Sequence, residues 1–162
     1  MEFINLFLNI ILFVVVSQLA TITHEFGHAI PALIFTKDKV KITLGRENNK
    51  GKKLSLGRLN AEVRGFNPFL GFVHWNGEEM TKSQRIAATI GGPIISLILG
   101  GCLIFISRGT TSHSIKQITN FSANYYFSQF IITAIPIIYP KCFGGYGDMP
   151  SDGYRILKII KK

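Results

Sequence analysis

Apolar residues run almost without a break from Phe3 to His24, interrupted only by uncharged side chains such as Asn5, Asn9 and Ser17. Two further stretches, Ile86 to Ser107 and Gln117 to Pro140, likewise contain no Asp, Glu, Lys or Arg. Each reaches the roughly 20 residues that a helix needs to cross ~30 Å of hydrocarbon. The pattern therefore predicts three membrane-spanning helices, over about 3–35, 83–107 and 119–140. At ~1.5 Å per residue the first exceeds what a bilayer requires, which puts residues 24–28 towards one end of the span. Pro31 is expected to kink this helix, with Gly27 four residues earlier leaving room for the distortion.

From Lys39 the period drops to two. Val40, Ile42 and Leu44 alternate with Lys41, Thr43 and Gly45, and "ENNKGKK" supplies turn chemistry before Leu54, Leu56 and Leu59. This predicts a short β-hairpin joined by another strand through "AEVRG" and "FLGFVHW", in a β region over about 38–75 between the first two helices. Such a sheet presents an edge, and an edge can take an extended peptide as an added strand. The second helix is expected to begin near Thr81. It carries a small residue at every fourth position, Ala88, Gly92, Ser96 and Gly100, which lets a neighbouring helix approach closely. The third, about Phe121 to Tyr139, has Pro136 near its end. "YPKCFGGYGDMP" then leads into a C-terminal segment, 148–162, whose short helix starts near Asp152. The fold class is thus a mainly α integral membrane protein: a three-helix core with a small β insertion, forming one unit over 1–162.

Composition and charge sharpen this picture. A hydrophobic content of 47% is high for a soluble chain of 162 residues, which would have to hide three long uncharged stretches in a small core. The first stretch does not read as a signal peptide, because Glu2 stands where a basic start is usual and no small-residue cleavage site precedes the histidines. The net charge of +9 is divided by segment: eleven Lys and Arg lie between Lys37 and Arg85, two (Arg108 and Lys116) lie in the second connection, and five follow Pro140. That division, without interleaved stacking aromatics, argues against nucleic acid as a partner. By the positive-inside rule it puts the N-terminus and second connection outside and the first connection and C-terminus in the cytoplasm. The expected location is the cell membrane of a prokaryote, with the lipid bilayer as partner. Cys102 and Cys142 have no paired spacing and are expected to be free thiols.

Candidate chemistry centres on "THEFGH", residues 23–28. On a helix His24 and His28 share one face a turn apart, so both imidazoles can reach one metal ion. Glu25, beside them, can take a proton from metal-activated water without being a ligand. A charged residue at the end of a membrane span is costly unless it has a function. A catalytic zinc needs a third protein ligand. His113 lies on the outer side, His74 on the correct side in an aromatic strand, and Asp148 and Asp152 on the correct side after the third helix; Asp148, in "GYGDMP", has the character of a turn residue.

Four segments together resemble the site-2 protease family of intramembrane zinc metalloproteases. "HEFGHAI" is similar to that family's zinc-binding segment, "GFVHW" to its short strand after the first span, "QRIAATIGGP" to the start of its second core helix, and "DGYRIL" to the segment with its aspartate ligand. The resemblance follows the family's order and covers most of the chain. It implies one Zn2+ per chain held by His24, His28 and Asp152, with Glu25 as general base and acid. It further implies an intramembrane zinc metalloendopeptidase that cleaves transmembrane or membrane-anchored proteins or peptides near the cytoplasmic face. Ser96 and Thr133 stand where the family often carries asparagines that assist substrate positioning. The departure motivates an alternative, a non-catalytic membrane binding or regulatory protein that keeps the fold. Substrate choice is expected to come from the core itself or from a gating partner protein.

Overall fold

The computed structural model describes residues 2–46, 51–65 and 67–161, and is mostly helical with one small mixed sheet. Helix α1 (Glu2–Phe35) is followed by strands β1 (Val40–Gly45), β2 (Lys52–Leu56), β3 (Leu59–Arg64) and β4 (Gly71–His74). Helices α2 (Lys82–Gly109) and α3 (His113–Ala134), a 3-10 segment (Lys141–Tyr146) and helix α4 (Asp152–Lys161) complete the order.

The helices are inside out relative to those of a protein folded in water. On α1 the buried positions include Ser17, Thr21, His24, Glu25 and His28, whereas Phe3, Leu6, Phe7, Ile10, Leu19, Ile30 and Ile34 are exposed. On α2 the buried set is small or polar, including Ala88, Gly92, Ser96 and Ser107, while Ile94, Ile98 and Phe105 face outwards. Both helices are long and apolar enough to cross a membrane. Helix α2 starts where expected, because Thr81 and Gln84 form a reciprocal capping box.

Helices α1 and α2 run antiparallel and touch at Gly27 and Gly91. A β-carbon on Gly27 would fall 2.5 Å from the Gly91 carbonyl oxygen, so only glycine allows this crossing. Helix α1 continues through Pro31, which has no N–H for the Gly27 carbonyl; Gly91 packs against that carbonyl instead. Helix α3 returns antiparallel along α2: Ser107 Oγ donates to Asn120 Oδ1 at 2.7 Å, Gly100 faces the Phe127 ring, and Ser96 Oγ meets Gln129 Oε1 at 3.3 Å. It stops at Ala134, five residues before the expected Tyr139. Pro136 disfavours helical backbone at Ile135, which is extended at φ −65°, ψ 129°. The following residues form a bridge between Ile138 and Pro150.

The sheet corrects the predicted hairpin. The strand order is β2-β3-β1-β4, with β1 parallel to β3 and antiparallel to β4. The true hairpin is β2–β3, closed over Gly57 and Arg58, with Gly57 at φ 59°. The predicted turn lies partly at 47–50, outside the described residues. Burial explains the choice: Val40 and Ile42 are almost wholly covered, so β1 takes the centre, while β2 is exposed throughout. The Arg58 guanidinium ties this hairpin to the end of α1 through the carbonyls of Leu33 and Thr36. Across β1 and β3, Arg64 and Lys41 hydrogen-bond the covered Glu62 carboxylate and lower its pKa to about 2. Val40, Ile42 and Val73 pack with Ala29, Ala32 and Ala88 of the helices, fixing β4 beside the second half of α1.

Candidate metal centre

His24 and His28 project from one face of α1, and Asp152 meets them from the first turn of α4. Their Nε2 atoms are 3.2 Å apart and lie 3.2 and 3.3 Å from Asp152 Oδ2. All three residues are buried, and they form a group that could hold a metal ion. Gly153 makes the approach of α4 possible, since a β-carbon there would overlap the Ala134 carbonyl.

The far nitrogens say which tautomer each imidazole adopts. His28 Nδ1 is 3.0 Å from the Ala88 carbonyl, an acceptor, so Nδ1 carries the hydrogen; the Gly92 amide is the longer contact at 3.3 Å. His24 Nδ1 is 3.0 Å from Ser96 Oγ, whose own hydrogen is directed to Gln129 Oε1 or the Gly92 carbonyl. With both Nδ1 atoms donating, both Nε2 lone pairs face each other and the Asp152 carboxylate. Three electron-rich atoms at such separations repel unless a metal ion or a shared proton joins them, and carbonyl or hydroxyl support behind ligand histidines is the usual outer arrangement of a metal site. Gly92 leaves the space for His28, because a β-carbon there would strike the imidazole.

Glu25 projects towards β4. It lines a cavity of about 590 Å³ together with the three clustered residues, the residues of β4, one side of α3 and several residues between Tyr139 and Asp152. No described residue hydrogen-bonds its carboxylate. Gly71 packs against it, and a β-carbon on Gly71 would lie 2.6 Å from Glu25 Cγ.

The other sequence candidates separate clearly. His74 lines the cavity but is not part of the metal group. Asp148 adopts φ 63°, as a turn residue does. His113 starts α3 and is exposed. Cys102 and Cys142 are free. Ser96 is wholly buried with its hydroxyl against His24 Nδ1, and Thr133 lines the cavity while its hydroxyl donates to the Gln129 and Phe130 carbonyls of its own helix. Two residues escaped the sequence reading. Gln129, behind Ser96, was visible only as an amide inside an uncharged stretch. Tyr146 gave no signal within its Gly- and Pro-rich segment; its hydroxyl bonds both backbone groups of Gly71. No known family profile matches this chain, and no curated protein matches it.

Proposed function

We propose that this chain is an intramembrane zinc endopeptidase of the site-2 protease kind, cutting a membrane-anchored protein or peptide near the cytoplasmic face. One observation carries the reading: two Nε2 atoms and a carboxylate converge beside Glu25, whose carboxylate no described residue hydrogen-bonds, on a cavity lined by the edge strand β4. Two imidazoles and one carboxylate are a donor set that suits a catalytic zinc with an open position. His24, His28 and Asp152 would hold the ion. When bound, it supplies Lewis acidity towards water and a peptide carbonyl. Glu25 takes the proton of the attacking water on its carboxylate and delivers it to the leaving amine. Helical peptide bonds are hydrogen-bonded within the helix and sterically closed, so the substrate segment must unwind, and β4 offers the backbone partner for the extended strand.

Three spans are supported by the path of the chain. Helix α3 meets α2 at Ser107–Asn120 and again at Ser96–Gln129, so it runs alongside the second half of its apolar neighbour. Its polar Thr119, Ser122 and Tyr126 are buried and Ile118, Phe121 and Ile131 exposed, as in α1.

The engagement of Ser96 and Thr133 favours the second reading, a non-catalytic binding protein, because neither hydroxyl is free to donate to a substrate. Gln129 offsets this: with Oε1 accepting from Ser96, its amide hydrogens remain for the cavity. The deciding experiment is elemental analysis of the purified protein together with cleavage of a panel of single-span fusion substrates in detergent. Wild type is expected to bind one zinc and cut; Glu25→Gln to keep zinc and lose cutting by at least about a thousandfold; Asp152→Ala to lose zinc. Cutting that is indifferent to Glu25, or protein without a bound metal, sinks the protease reading in favour of the binding protein.

A further inference from the structure

Strand β4 does not present its whole outer edge to the cavity. Gly71, Phe72, Val73 and His74 oppose Leu44, Thr43, Ile42 and Lys41, and the Gly45 N–H donates to the Leu70 carbonyl. Bonding to β1 therefore falls on Leu70, Phe72 and His74, and the backbone groups of Gly71 and Val73 point away from the sheet. The outward pair at Gly71 is already taken. Its N–H donates to the Tyr146 hydroxyl at 2.9 Å, and that hydroxyl donates back to the Gly71 carbonyl at 3.0 Å. One phenol thus fills the place where an added strand would put its own carbonyl and N–H. No described residue does the same at Val73.

The cap is held firmly. The Tyr146 ring packs on Phe72 at 5.3 Å and Tyr139 at 6.0 Å, and the residue is half-buried. Burial pushes the phenol well above its usual range, which favours the protonated, donating form. Gly71 also abuts Glu25, which places the cap beside the carboxylate that would serve hydrolysis.

We propose that Tyr146 is a register-setting residue for the peptide substrate: by closing the edge at Gly71 it confines strand pairing to Val73 and beyond, and so decides which peptide bond faces Glu25. The cap stands on the geometry alone; its effect on the cut site rests on the proteolytic reading. Outward pairs recur every second residue, so without the cap a bound strand can slide by two residues and no fewer.

Tyr146→Phe removes the hydroxyl and keeps the ring, whereas Tyr146→Ala removes both and opens the edge. Hydrogen exchange is followed by mass spectrometry in detergent, with and without the hexapeptide acetyl-Val-Thr-Val-Lys-Val-Thr-amide. The Gly71 amide is expected to exchange about tenfold faster in either variant than in wild type, the loss of one hydrogen bond. The hexapeptide should slow Val73 alone in wild type, and both Val73 and Gly71 in Tyr146→Ala. Mapping the products of the fusion panel should give one cut in wild type and a second cut two residues away in Tyr146→Ala. Equal Gly71 exchange in wild type and Tyr146→Phe, slowing of Gly71 by the hexapeptide in wild type, or an unchanged single cut in Tyr146→Ala overturns the proposal. Should no form of the protein cut any fusion while the exchange pattern holds, the cap stands and the proteolytic reading falls.

Discussion

At the scale of single residues, the roles of the site side chains follow from what lies behind them. Asp152 and the two Nε2 atoms define where a cation would be, but the Nδ1 partners decide whether those nitrogens are available to it. Ser96 is the replaceable one, since the partner of His28 is a backbone carbonyl. Ser96→Ala removes the acceptor of the His24 Nδ1 hydrogen and leaves a small void. The expected result is a 10- to 100-fold weaker hold on zinc, the usual loss when such a supporting group is removed, read by competition with a chelator of known affinity. Cleavage at saturating zinc should fall much less. A variant with unchanged zinc affinity would mean that His24 is oriented by its helix alone.

At the scale of elements, helix α2 acts as the template on which α1 and α3 are set. Its Gly91 meets Gly27 of α1, and its Gly100 faces Phe127 of α3. Gly91→Ala would drive a methyl group into the Gly27 carbonyl, a backbone atom that cannot swing aside. Overpacking of this kind costs about 1–3 kcal/mol and should lower the thermal midpoint measured in detergent. Gly101→Ala is the control: nothing lies within 4 Å of the added carbon, and alanine is the better helix former, so its midpoint should hold or rise. A fall of equal size in both would show that glycine matters for helix flexibility and not for the crossing. The same elements show how far sequence could be read. The candidate group His24, Glu25 and His28 was legible because a metal site on one helix would demand a fixed spacing of few residue types, and the starts of α2 and α4 because Thr81 and Asp152 carry local signals. The partner of β1 was not, since alternation looks the same in parallel and antiparallel strands and only the burial of Val40 and Ile42 decides. The support given by Ser96 depends on an imidazole 72 positions away, a contact no local pattern encodes.

At the scale of the whole molecule, polarity and charge describe the same object from two directions. The exposed surface of α1 is lined by Phe, Ile and Leu, while Lys and Arg gather between the first two helices and after the third. Water would penalise the first feature, and a bilayer with its cytoplasmic face at the sheet accommodates both. The two native cysteines test this arrangement without any introduced thiol. Cys142 is exposed in the 3-10 segment, next to Lys141 on the sheet side. Cys102 is also exposed, but on α2, twenty residues from Lys82 and seven from Gly109, or ~30 Å and ~10 Å along the helix axis. In a bilayer crossed by α2 that position would lie within the hydrocarbon, where a charged reagent does not reach. With the single-cysteine variants Cys102→Ser and Cys142→Ser, a membrane-impermeant maleimide should modify Cys142 in inside-out vesicles and not in intact cells. Cys102 should react only after denaturation in detergent. Labelling of Cys142 from outside would invert the topology. If Cys102 reacts as readily as Cys142 in native protein, and alkaline carbonate releases that protein into the aqueous phase, then α1 and α2 are covered by something other than lipid.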